Sequence, residues 1–188
     1  MKQKLSTKKV AVTALMAALT VVGSWMRITI PVDIGGNTSF HLGNILCALS
    51  GLLLGPWLGG LAAGMGSAIY DIIFYPMYIS ECWITFLTKA CYGLMAGLVI
   101  RCGSKEWGYL RAVLGALAGA VTYGALYLAK TYFYGGLLLG GLTPEAAMTS
   151  VFLKVPATIF NGAVAVIFAP ILAIAIRKAL KRQHISVE

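Results

Sequence analysis

Asp71, Lys89, Lys130, Lys154 and Asn161 interrupt runs of sequence that are otherwise apolar. Insertion scales place the cost of a charge in the middle of a membrane helix at about 2.5–3.5 kcal/mol unless it is paired, hydrated or able to reach an interface. Each of these residues is therefore a candidate for contact with a bound solute. Lys130 and Lys154 lie near the ends of their runs, so snorkelling to the interface is the alternative for both. Lys89 sits deeper, and its alternative is a structural pair with Asp71 at similar depth on the neighbouring run. Aromatic residues gather in the same half of the chain's runs. Tyr75, Tyr78 and Trp83 flank one loop, while Tyr123, Tyr127 and Tyr134 follow one another along a single run. Tyr123 and Tyr127 fall one helical turn apart, with Lys130 beside them. An interfacial belt uses such residues. So does a pocket that stacks a flat heteroaromatic ring and orients it with a few polar groups. Asn37, His41 and Glu81 are the nearest polar residues in the loops, although His41 at a helix start also suits a solvated interface. The candidate binding set is thus Asn37, His41, Tyr75, Glu81, Trp83, Lys89, Tyr123, Tyr127, Lys130, Lys154 and Asn161.

Bond-breaking chemistry has little to work with. A hydrolase inside the membrane needs a nucleophile and a base on facing helices, and Ser67 with His41 is the one pair worth naming, since His184 lies in the C-terminal tail. Cys47, Cys82, Cys91 and Cys102 are scattered with no Cys-x-x-Cys spacing, so neither a metal site nor a disulfide framework is expected. No cofactor is expected, and the chain reads as a non-enzyme.

The elements that must position the candidate residues are membrane helices. Of 188 residues, 59% are hydrophobic and only 11% are charged, and the mean hydropathy is +0.84. A soluble domain has roughly a quarter of its residues charged. Six apolar segments run approximately over 9–30, 41–54, 56–74, 81–100, 110–134 and 150–176. They are too long and too uniform for the alternating strands of a membrane barrel. The expected fold is all-α, a single integral membrane domain over 1–188 with six transmembrane helices. Gly55-Pro56 divides the short second segment from the third. Thr143 followed by Pro144 suits a helix start, so a short helix is expected before the sixth span. Basic residues fall in three places: Lys2, Lys4, Lys8 and Lys9; Arg101, Lys105 and Arg111; and Arg177, Lys178, Lys181 and Arg182. With six spans all three lie on one side, and the positive-inside rule makes that side and both termini cytoplasmic. The opposite side carries Arg27, with Asp33 and Glu145 in its loops. The net charge of +9 is then a topology signal with some attraction to anionic lipid, and no nucleic-acid partner is expected. The first 30 residues read as a retained helix rather than a cleaved signal.

Small residues recur at helical spacing. Gly51, Gly55 and Gly59, Gly60 and Gly64, Gly93 and Gly97, and Gly115 and Gly119 let helix backbones approach closely. Ala14 and Ala18, one turn apart on the first helix, give a smooth face suited to docking against another membrane protein.

The opening TKKVAVTALMAAL, the segment Phe40-His41-Leu42-Gly43-Asn44 and the run LGPWLGGLAAGMGSAIYD over 54–71 together resemble the S components, the substrate-binding subunits, of energy-coupling factor (ECF) vitamin transporters, and most of all their riboflavin-transporter-like group. Asn44 departs from the acidic residue expected there in many relatives, and no role is carried over to it. The resemblance implies a prokaryotic multi-pass cell-membrane protein that captures a water-soluble vitamin or precursor outside and delivers it inward. Its partners would be a transmembrane coupling subunit, docked on Ala14 and Ala18, and two cytoplasmic ATPases that use ATP. Riboflavin, a pyridoxine-type compound and the thiamine pyrimidine all stay open as ligands. Because Lys89, Lys130 and Lys154 outnumber Asp71 and Glu81, a neutral or anionic ring is expected rather than a cation. The alternative function is a self-contained carrier or channel, which an internal inverted repeat would favour; none is evident.

Overall fold

A computed structural model of the chain describes residues 6–31, 37–102 and 107–183. Lys2, Lys4, Asp33, Gly35, Gly36, Lys105 and His184 lie outside the described residues. Helix α1 (Thr7–Trp25) leads into a hairpin of β1 (Arg27–Pro31) and β2 (Asn37–His41). Helices α2 (Gly43–Leu54), α3 (Pro56–Phe74), α4 (Cys82–Arg101), α5 (Tyr109–Lys130) and α6 (Pro144–Arg182) follow. A 3₁₀ turn, Pro76–Glu81, precedes α4, and a π-helical segment, Thr131–Leu139, prolongs α5.

Five of these helices are long and apolar enough to cross a bilayer. At 12 residues α2 is only about 18 Å long. It is apolar all round because it is buried in protein, packed against α1, α3, α4 and α6, rather than bathed in lipid. The α2–α3 break falls at Gly55, whose φ of 79° favours glycine, and Pro56 opens α3 with φ already helical. Helices α3 and α4 meet backbone to backbone. A Cβ on Gly93 would lie 2.6 Å from the Gly59 carbonyl oxygen and 3.0 Å from Gly60 Cα, so only glycine allows this approach. The outer surface carries large exposed apolar side chains such as Trp57, Leu110 and Phe152, the face a lipid solvent accepts.

Two features differ from the sequence expectation. The all-α fold is amended by the hairpin: the first segment stops being helical at Trp25, and the short β-branched stretch Ile28-Thr29-Ile30 pairs antiparallel with Phe40-Ser39-Thr38. The sixth span is not preceded by a separate short helix. Thr143 caps the start, accepting from Ala146 N at 3.3 Å, but the helix then runs unbroken for 39 residues through Pro156 and Pro170. At roughly 58 Å it exceeds the roughly 30 Å hydrocarbon core. Continuing the ladder keeps its remaining peptide groups paired, which an apolar surrounding demands.

Candidate functional site

At one end of the bundle the hairpin, the 3₁₀ turn, the π-helical segment and the adjoining ends of α3–α6 enclose a cavity of about 450 Å³. This lies within the 300–1,000 Å³ range of small-molecule sites. Aromatic faces form two of its walls. Tyr75 and Tyr78 stack with centroids 5.2 Å apart and planes 12° apart. Tyr123, which also lines the cavity, stacks on Tyr127 at 5.7 Å and on Tyr92 at 5.6 Å. The Arg27 guanidinium packs over the rings of Tyr70 and Tyr75, at 4.6 and 4.9 Å from their centroids.

The charged groups are arranged by what holds them. Lys130, at the end of α5, makes an ion pair with Glu81 of the 3₁₀ turn, both side chains being largely buried. Lys154 of α6 is buried and lines the same side. Lys89 is not on the cavity wall. Its ammonium donates to Asn44 Oδ1 and sits 3.9 Å from the Tyr123 ring centroid, so it is neither the expected wall residue nor the partner of Asp71 that its depth offered as the alternative. Asp71 lines the cavity beside Thr85.

Asn161 also lines the cavity, but both ends of its amide are committed to β2. Oδ1 accepts from His41 N at 3.1 Å and Nδ2 donates to the Ser39 carbonyl at 2.7 Å. The two backbone groups lie on the strand edge that β1 does not pair, so the side chain takes the place of a neighbouring strand. Phe160 packs edge-on against Phe40 at 4.8 Å beside this clamp. His41 has its Nδ1 enclosed with no hydrogen-bond partner. Burial holds the imidazole well below its usual pKa, and the Lys89 and Arg27 charges add to the effect.

Asn37, Tyr75, Tyr127, Glu81 and Lys130 all reach the cavity, as do His41, Tyr123, Lys154 and Asn161. Trp83 does not: it is 54% exposed and meets Tyr134 edge-on outside. Asp71, a candidate by its charge within an apolar run, lines the wall too, and several wall residues were missing from the candidate set: Arg27, Asn44, Tyr78 and the threonines Thr85, Thr88 and Thr131. Arg27 carries a usable signal, a lone cation at the head of a β-branched stretch. The threonines carry none, since helical threonines ordinarily bond their own turn. Ala14 and Ala18 lie on the exposed side of α1, opposite the buried Thr13, Met16, Ala17 and Thr20.

A bundle of apolar helices enclosing a chamber lined by stacked tyrosines has the build of a solute-binding membrane protein. The chain belongs to the family of the ECF-type riboflavin transporter, S component, whose model matches residues 4–178. It is thus a transport subunit rather than an enzyme, and a multi-pass protein of the prokaryotic cell membrane. Its fold is shared with the crystal structure of the S-component for biotin from an ECF-type ABC transporter, at a TM-score of 0.59 and 15% identity over 90% of this chain and 94% of that one. An uncharacterized protein of Pyrococcus woesei is 33% identical over 119 residues, 63% of this chain and 74% of its own length. A UPF0397 protein of Streptococcus gordonii is 36% identical over 92 residues, 49% of this chain and 46% of its own length. The chain spans about half the length of that streptococcal relative.

Proposed function

We propose that this protein is the vitamin-capturing subunit of an ECF importer, and that its chamber holds a flat heterocycle, riboflavin being the first candidate. The observation that carries the reading is the pair of tyrosine stacks, Tyr75–Tyr78 and Tyr123–Tyr127, on the walls of one chamber. Stacking faces suit an extended ring, and a single small ring would fill only part of about 450 Å³. A pyridoxine-type ring and the thiamine pyrimidine are the alternatives. Arg27, Lys130 and Lys154 on the wall against Asp71 and Glu81 favour a neutral or anionic ligand.

In this reading six helices are embedded in the membrane and both termini are cytoplasmic. Lys8, Lys9, Arg101, Arg111 and the basic end of α6 lie at the helix ends away from the chamber, which therefore faces outside. Ala14 and Ala18 dock on a transmembrane coupling subunit driven by two ATPases. The test is to purify the protein, identify co-purifying small molecules by mass spectrometry, and titrate riboflavin by fluorescence quenching. Uptake in vesicles should require the coupling subunit and ATPases. Full uptake by this chain alone would instead establish a self-contained carrier.

A further inference from the structure

We infer that the chamber floor reads one edge of its ligand: an N–H set beside a carbonyl or ring-nitrogen acceptor, as on a pyrimidinedione or an aminopyrimidine. The inference rests on the chamber being the vitamin site.

The donor half comes from Asn44. Its side chain is 2% exposed, lies on the cavity floor in the first turn of α2, and bonds Lys89 through Oδ1. A lysine ammonium can only donate, so the amide orientation is fixed by chemistry: the oxygen must face Lys89. Nδ2 is the arm left for the cavity, and it makes no hydrogen bond among the described residues. Lys89 in turn is occupied by the Asn44 oxygen and the Tyr123 ring, which makes it a positioning residue for the Asn44 amide.

The acceptor half comes from Asp71. The carboxylate is 7% exposed and lines the same cavity beside Thr85. The chamber's direct ion pair among the described residues, Lys130–Glu81, leaves Asp71 out. Lys89, bonded to Asn44, lies within electrostatic reach of Asp71. A carboxylate accepts at up to four lone-pair sites, and a buried one with unfilled sites favours a ligand that supplies N–H. A donor and an acceptor that line one cavity and share Lys89 as a neighbour suit a ring edge that carries both an acceptor and a donor. The rotating hydroxymethyl groups of pyridoxine present no such edge.

The test measures affinities of the full-length protein in detergent for riboflavin and 3-methylriboflavin, for 4-amino-5-hydroxymethyl-2-methylpyrimidine and its 4-dimethylamino form, and for pyridoxine. Methylation should weaken binding of whichever parent ring binds by about tenfold or more, since it removes the donor and leaves Asp71 unmet. The parent that binds identifies the source of the edge. In Asp71→Asn, which keeps the shape but replaces one accepting oxygen by a donating NH2, the parent-to-methyl ratio should fall towards one. In Asn44→Asp, which removes the donor for the ligand's acceptor, and in Lys89→Met, which frees the amide to turn, parent and methylated probe should weaken alike. Retained binding of the methylated probe shows that a variant is folded. Equal binding of parent and methylated probes by the wild type overturns this inference alone, as does a preference for pyridoxine. Binding of none of the five compounds overturns the vitamin reading and this inference with it.

Discussion

The Asn161 amide offers a direct test of how the hairpin is held over the chamber. Asn161→Leu keeps the side-chain volume but removes the acceptor for His41 N and the donor to the Ser39 carbonyl, at 3.1 and 2.7 Å. The residue is 8% exposed, so water does not readily replace it. At about 1–1.5 kcal/mol net per hydrogen bond, the loss is about 2–3 kcal/mol. The Phe40–Phe160 contact survives the substitution and keeps the strand near α6, so the cost falls on docking rather than on the bundle. If ligand binding requires the docked hairpin, affinity should fall by about 30- to 150-fold. Hydrogen exchange at the His41 amide of the ligand-free protein should accelerate by a similar factor. The second measurement separates two roles. A residue that touches only the ligand would lower affinity yet leave exchange in the ligand-free protein unchanged. Unchanged exchange at His41 would refute the clamp, whatever happens to affinity.

Three further outcomes follow from the same geometry. Burial depresses the His41 pKa, so the unfolded chain binds the proton more readily. Stability is then complete above about pH 6.5 and declines as pH falls below it. Thermal unfolding between pH 7.5 and 5 should show that decline in the wild type and a flatter profile in His41→Gln; identical profiles would refute it. Glu81→Gln leaves the largely buried Lys130 ammonium without its carboxylate and should destabilise the protein by about 1–3 kcal/mol, while Glu81→Gln combined with Lys130→Met should recover part of that. Chemical or thermal unfolding in detergent would show the recovery, and additive losses would refute the coupling. Ala14→Trp with Ala18→Trp, both on the exposed side of α1, should abolish uptake while riboflavin affinity stays within about twofold of wild type. Wild-type uptake by that double variant would remove the docking assignment.

Local chemistry was enough to read several features from the sequence. Run length and hydropathy mark the long helices because a bilayer demands about 20 apolar residues per crossing, whatever the neighbours are. Gly55-Pro56 and Thr143-Pro144 mark helix boundaries because positive φ, a missing N–H and a capping hydroxyl act within one turn. The tyrosines Tyr123 and Tyr127 share a face because helical periodicity alone places them there. Partner choice was not legible in the same way. Depth along the helices suggested Asp71 for Lys89, but the rotation of α2 and α4 about their axes delivers Asn44 instead. The hairpin was hidden at the end of an apolar run because a five-residue strand has no stability of its own. It exists through β2 and through Asn161, which binds His41 from 120 positions away along the chain. The position of α2 inside the bundle was equally invisible, since an apolar helix reads alike in lipid and in protein. Composition and local propensity therefore determined which segments are helices and where they break. Only the packing of those helices decided which polar groups meet, because that depends on crossing and rotation set jointly by glycine contacts such as Gly59 with Gly93, far apart in the chain.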